Sequence, residues 1–217
     1  MSRIGPPKLL ASFAIPTYRW VWASTLFVFG NRIASLLAQG WLVLQLTDSP
    51  LAVELAAGLQ GVGQFAGSIF SGVLVDRLDR RHVAILVDAV AGMAALSIVG
   101  LVLTEQIALW HILIAAFVQG MVFAFRWPAM STIVFAIVGS RHMLNTSASQ
   151  MLALNIARVF GSGIVGTLIN AWGVSSGYMF ATACSIMAAA CMLMTAGLFV
   201  SGVAIEPLGQ AARAWIK

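Results

Sequence analysis

The stretch GVLVDRLDRRH, residues 72–82, lies between two long apolar runs and ends in the densest cluster of charge in the sequence. The chain of 217 residues is 60% hydrophobic and only 9% charged, whereas soluble domains are roughly 25% charged. A short charged cluster between two apolar runs is typical of a loop that joins two membrane spans. The sequence therefore predicts an all-α integral membrane protein.

Six apolar runs are long enough to cross a bilayer, which takes about 20 helical residues. The predicted spans are residues 18–45, 52–75, 83–103, 108–127, 143–171 and 174–201. They form one transmembrane domain, 18–202, between an N-terminal segment, 1–17, and a tail, 203–217, that begins a central loop. For residues 128–139, which stay apolar beyond Pro128, we expect an interfacial helix or an extended end of span four.

The basic residues predict the orientation of these spans. With a cytoplasmic N-terminus, ten of the twelve Lys and Arg residues fall on the inside and none lies in an outer loop. Positive charge on the cytoplasmic side is the usual bias. We therefore expect a multi-pass protein of the bacterial cytoplasmic membrane with both termini inside, and the net charge of +5 does not indicate nucleic-acid binding.

Polar stripes on spans one, two, four and five are typical of the lining of a cavity. Arg32 and Arg158 lie within spans, where a charge costs about 2.5–3.5 kcal/mol and needs a partner or water. The candidate lining residues are Asn31, Arg32, Gln39, Gln60, Gln64, Gln119, Asn155 and Arg158. For each single Gln or Ser, the alternative is a hydrogen bond between packed helices.

Glycines form a second pattern. Gly161, Gly163 and Gly166 on span five, like a similar set on span two, predict close helix packing. Matching glycines in the second helix of two consecutive three-helix units also suit the inverted repeats of transporters.

Several of these residues resemble a known family. Gly72, Asp76, Arg77, Arg80 and Arg81 resemble the loop signature of the major facilitator superfamily, in which a glycine precedes an Asp-Arg pair and then a basic pair. Trp41, Leu42, Thr47, Ser49 and Pro50, together with Asn155, Ala157, Arg158, Gly161 and Gly166, resemble its branch of enterobactin and macrolide exporters. The resemblance covers nearly the whole chain but only the N-terminal half of the family's architecture.

The resemblance implies one six-helix half of a major facilitator fold, built from two inverted three-helix repeats. In that family spans one, two, four and five surround the substrate and spans three and six lie outside, which agrees with the polar stripes. Three positions depart from the family pattern, namely Asp79, Ala116 and Ser162, and they leave coupling to protons open.

The loop signature suggests a cytoplasmic gate. The predicted latch consists of Gly72, Asp76, Arg77, Arg80, Arg81 and Asp88. Asp88 lies seven residues beyond Arg81, about 10 Å along a helix axis, within reach of long basic side chains. The alternative is that the cluster only anchors the topology.

The sequence favours a secondary transporter that exports a small organic molecule by alternating access. We expect an N-terminal half that is a fragment, a truncated product or a half that pairs with a second six-helix half or with its own copy. A non-transporting membrane scaffold is the alternative. An intramembrane protease is disfavoured, because Ser162 has no His in spans five or six to act as its base. The expected partners are a small-molecule substrate and the lipid bilayer, with no enzymatic activity, metal or cofactor and no nucleic acid.

Overall fold

The computed structural model describes residues 13, 15–77, 79–138 and 143–200, without the side chains of 72–77, 80–81, 136, 143–144 and 196–200. Its elements are α1 (Pro16–Thr47), α2 (Pro50–Arg77), α3 (Arg80–Leu103), α4 (Leu109–Val138), α5 (Met143–Ile156), a π-helical turn (Ala157–Gly161), α6 (Ser162–Trp172) and α7 (Val174–Val200). The described part of the chain contains no strand, and α5, the π turn and α6 follow one another without a break. Most of the two terminal segments lies outside the described residues. Five latch positions lie where only the backbone is described, namely Gly72, Asp76, Arg77, Arg80 and Arg81.

Two chain reversals follow directly from local chemistry. Asp48 ends α1 in the left-handed conformation, with φ of 50°, and its N–H donates to the carbonyl of Leu44. Pro50 then starts α2, where a proline's missing N–H does no harm. Gly173, with φ of 81°, separates α6 from α7, and this backbone conformation favours glycine.

Within the described residues, five helical rods are long and apolar enough to cross a membrane, so the chain is a multi-pass membrane protein. They are Pro16–Thr47, His82–Leu103, Leu109–Phe135, Asn145–Trp172 and Val174–Thr195. α2 has the length of a span at 28 residues, but the side chains of its last six residues, 72–77, are not described. Its crossing at 52–75 therefore stays a prediction.

The fourth helix does not stop at Pro128. α4 continues to Val138 with the proline inside it, so the described residues agree with the extended helical end of span four, and the membrane boundary at residue 127 stays a prediction. The reason is packing, because Met130, Ile133 and Val134 belong to a buried cluster with residues of α1, α3 and α7.

The helices pack in an order that differs from their order in the chain. α2 packs against α4, α3 lies against both α4 and α7, and α1 contacts α7 and the α5–α6 rod. The α2–α4 contact is very close, because a Cβ added to Gly63 would overlap the carbonyl oxygen of Phe117, and one added to Gly120 would overlap that of Gln60. The two inverted repeats stay a prediction.

The π turn keeps one face of the α5–α6 rod against α1. Ala153, Ala157, Gly161 and Val165 are all buried, at intervals of four residues. At about 100° per residue, twelve residues of regular α-helix would rotate this face by about 120°. A π turn holds one extra residue, so the rotation falls to about 20° and all four residues face the same neighbour.

Only one of the three glycines predicted to pack does so in the described chain. A Cβ on Gly161 would lie 3.9 Å from Ile33 of α1, whereas one on Gly163 or Gly166 would meet nothing within 4 Å. Close packing of Gly163 and Gly166 therefore stays a prediction, because both are on the exposed side of α6 among the described residues.

Candidate functional site

A cavity of about 600 Å³ opens between α1, α2, α4 and the α5–π segment. All four spans that the sequence assigned to a cavity wall contribute to it, while α3, α6 and α7 contribute no described residue. The lining residues are Phe29, Arg32, Gln64, Ser68, Ser71, Phe123, Ala124, Trp127, Pro128, Gln150, Met151, Leu154 and Arg158.

Arg32 reaches this cavity from α1. Its Nη2 lies 3.5 Å from Oε1 of Gln64 on α2, a long hydrogen bond, and its guanidinium carbon lies 3.9 Å from the ring centroid of Phe123 on α4. Its Nη1 is buried and has no partner among the described residues. The guanidinium is therefore held by an aromatic face and retains donors for something else.

Arg158 reaches the cavity from the π turn. Its side chain is exposed, and its backbone carbonyl accepts a 2.5 Å hydrogen bond from the Ser162 hydroxyl. π turns often occur at functional sites, and this one places a cation on the cavity wall. Since the Ser162 hydroxyl is engaged with the backbone, and His82 and His111 bond to Asp79 and the Ala108 amide, the described residues contain no serine–histidine pair for a protease.

Aromatic rings form part of the same wall. Phe123 and Trp127 lie one turn apart on α4, with ring centroids 6.4 Å apart. Trp127 is 48% exposed, whereas Phe29 is buried. A search for polar stripes does not find these rings, although their spacing of four residues could have indicated a common face.

A much smaller polar cavity, about 20 Å³, lies on the other side of Arg32 and touches Asp88 and Arg126. Arg126 Nε donates to Asp88 Oδ1 at 3.0 Å, and its Nη2 donates to Ser24 Oγ at 2.7 Å. Ser24 Oγ in turn lies 3.1 Å from the carbonyl oxygen of Ala188. This buried network joins α1, α3, α4 and α7.

The network gives Arg126 and Asp88 a partner that the sequence did not assign to them. The sequence placed Arg126 at the cytoplasmic side and Asp88 near the loop arginines. In the structure both side chains are 5% exposed and pair with each other, because a buried charge requires an opposite charge at its own depth. A single acid in span three and a single arginine in span four were the signal for this pair.

The remaining candidates do not line the larger cavity. Asn31 donates to the Ala181 carbonyl at 2.9 Å and to Ser185 Oγ at 3.0 Å, and Gln119 donates to the Ala91 carbonyl at 3.3 Å. These are hydrogen bonds between packed helices, the alternative left open above. Gln39 and Gln60 are buried and Asn155 is exposed, and of these three only Gln60 touches the smaller cavity.

Comparison with known proteins gives a family and several relatives. Residues 8–214 match the profile of a family of the major facilitator type described as "Transmembrane secretion effector". The chain is 26% identical over 163 residues to the enterobactin exporter EntS of Shigella flexneri, an alignment covering 72% of this chain and 40% of the relative. The EntS proteins of Escherichia coli O1:K1 and Citrobacter koseri give the same identity with 39% of their length covered. No solved structure matches the chain.

The chain therefore spans about two fifths of the length of the relatives that it matches.

Proposed function

Because this chain belongs to the transmembrane secretion effector family of the major facilitator superfamily, we propose that it exports a small organic molecule across the cytoplasmic membrane. The family is one of transporters and not of enzymes. The observation that carries the proposal is the cavity between α1, α2, α4 and α5, because about 600 Å³ falls within the usual range for binding small molecules. Enterobactin is the first compound to test, since the relatives are named for its export.

Alternating access requires a second helical unit that rocks against this one. Three residues that line the cavity, Ser68, Met151 and Arg158, are exposed. These exposed side chains leave a surface beside the cavity that such a unit could cover. We propose that further chain or a second copy of this chain covers that side. As a separate point, we propose that both termini face the cytoplasm, which reporter fusions to each end can test.

The cytoplasmic latch remains part of the proposal. Asp76, Arg77, Arg80 and Arg81 would hold the inner ends of the helices together, and Asp88 would link them to α4 through Arg126. A proton gradient is the proposed energy source, so a protonophore should abolish export. Export that persists under that treatment would reject the proton gradient as the energy source.

A non-transporting scaffold would have protein packed in the cavity, whereas a transporter would have water there. We propose to replace Cys184 and Cys191, both buried and free, with alanine and then to introduce Gln64→Cys or the matched control Gln119→Cys. Gln64 lines the cavity and Gln119 is packed against α3. A membrane-impermeant methanethiosulfonate should label only the Gln64→Cys variant, and protection of that variant from both membrane sides would favour the scaffold.

The direct test is export from cells. Cells that express the chain should accumulate less of a tested compound than cells expressing Arg158→Gln, with equal amounts of protein in the membrane. Equal accumulation for every compound tried, enterobactin included, would reject the export function.

A further inference from the structure

The charge on the wall of the larger cavity has one sign. Arg32 and Arg158 are its ionisable residues, and no carboxylate is among the lining residues that the structure describes. Asp88 lines the smaller cavity, not the larger one, and is paired with Arg126. Among the described residues, a ligand in the larger cavity therefore meets positive charge with no carboxylate to offset it.

The two cavity arginines also have donors to spare. A guanidinium carries five N–H donors, and Arg126 uses its own on Asp88, Ser24 and Met130. Arg32 has only the long bond to Gln64 and an unpaired, buried Nη1. Arg158 has no side-chain partner among the described residues. Such donors favour an acceptor that carries negative charge.

The aromatic rings add a second requirement. Arg32 already covers one face of Phe123, but the neighbouring Trp127, which also lines the cavity, is 48% exposed. An indole surface of this kind stacks with flat rings. Gln64 and Gln150 offer neutral polar groups around it.

From these contacts we infer that the cavity selects organic anions that carry an aromatic ring. The acidic group binds Arg158 and Arg32, and the ring lies against Trp127. Organic cations are rejected, because two guanidinium groups repel them and no described carboxylate on the wall attracts them. This inference rests on the proposed export function, whose substrate class it names.

The test is equilibrium binding to the full chain in nanodiscs of zwitterionic lipid, so that anionic lipid does not compete. Three probes share one ring system: naphthalene-2-sulfonate, 2-naphthylmethylammonium and 2-naphthalenemethanol. We expect the sulfonate to bind at least about tenfold more tightly than the other two, since hydrogen bonds between charged groups are the stronger ones. Binding should weaken as salt is raised.

Variants assign the binding to the cavity. Arg158→Gln should weaken sulfonate binding by about tenfold, and Arg158→Lys should restore part of it. The matched control is Arg19→Gln, which removes a cation from an exposed part of α1 that does not line the cavity. Because Arg158 is exposed, its replacement should not prevent folding, which the unchanged binding of the alcohol probe would verify.

Three results would overturn the inference: equal or tighter binding of the ammonium probe, an Arg158→Gln variant that binds the sulfonate as the parent does, or no binding of the sulfonate at millimolar concentration. Binding is measured without transport, so the two proposals can fail separately. Selective anion binding without export from cells would reject the export function and leave the ligand class standing. Export of cations by an active chain would reject the ligand class and leave the export function standing.

Discussion

Arg126 on α4 and Asp88 on α3 form an ion pair, with Nε and Oδ1 3.0 Å apart and both side chains 5% exposed. Arg126 also donates to Ser24 on α1, so one guanidinium connects three helices. The second oxygen of Asp88 has no partner among the described residues. A buried pair of this kind matters most when one member is removed, because the other is then left as an uncompensated charge.

Arg126→Leu should therefore destabilise the chain by about 3–5 kcal/mol, and Asp88→Leu by a similar amount. The double variant should be more stable than either single variant, because no buried charge remains. Thermal unfolding in detergent measures all three. Additive losses in the double variant would contradict the pairing.

A control for this experiment is the exposed pair between His82 and Asp79, in which Nδ1 and Oδ2 lie 3.2 Å apart. Exposed pairs are worth about 1 kcal/mol or less. His82→Ala should therefore leave the unfolding temperature nearly unchanged.

The close approach of α2 and α4 depends on glycine. Gly63→Ala and Gly120→Ala would each push a Cβ into a backbone carbonyl of the facing helix, which side-chain motion cannot relieve. We expect each to cost about 1–3 kcal/mol or more in unfolding experiments.

Gly58→Ala and Gly61→Ala are matched controls on α2, since a Cβ there meets nothing within 4 Å. Alanine favours a helix over glycine by about 1 kcal/mol, so these variants should be neutral or slightly stabilising. If they destabilised the chain as much as Gly63→Ala, close packing would not be the cause.

The sequence predicts where the helices lie because bilayer thickness sets the length of an apolar run. It places Arg32 and Arg158 within spans for the same reason, since a charge among apolar residues stands out. It does not pair Arg126 with Asp88, because the neighbouring Trp127 and Pro128 look like the end of a span. The fate of residues beyond Pro128 depends on packing of Ile133 with distant helices, which no local pattern contains.

The polar candidates were harder to assign. Asn31 and Gln64 both lie on helical stripes, yet Asn31 bonds to α7 and Gln64 lines the cavity. Which one lines the larger cavity depends on how α1 and α2 are rotated among their neighbours, and a single helix pattern does not specify that. Composition likewise does not predict the π turn, although small residues at four-residue intervals, Ala153, Ala157 and Gly161, are consistent with one.

The π turn gives a further prediction. Deleting Phe160, an exposed residue inside the turn, should convert it to regular α-helix and keep Ala157 and Val165 facing α1. Deleting Ile164, which is outside the turn, should instead rotate Val165 by about 100° and expose it. We expect the first deletion to fold with nearly parental thermal stability and the second to lose most of it. Equal losses would mean that the turn does not maintain this face.

The gate and the topology anchor make different predictions for the loop at 76–82. If the loop only orients the protein, Asp76→Asn should insert and export as the parent does, because every basic residue remains. If Asp76 accepts charge-assisted hydrogen bonds in a latch, its replacement removes about 1.5–3 kcal/mol of stabilisation from one state of the gate. Export per inserted molecule should then fall by about tenfold or more.

The matched control is Asp79→Asn, three residues away. The Asp79 carboxylate pairs with exposed His82, so this substitution should hardly affect export. Topology reporters on both variants verify insertion, and parental export by Asp76→Asn would leave the cluster as an anchor alone.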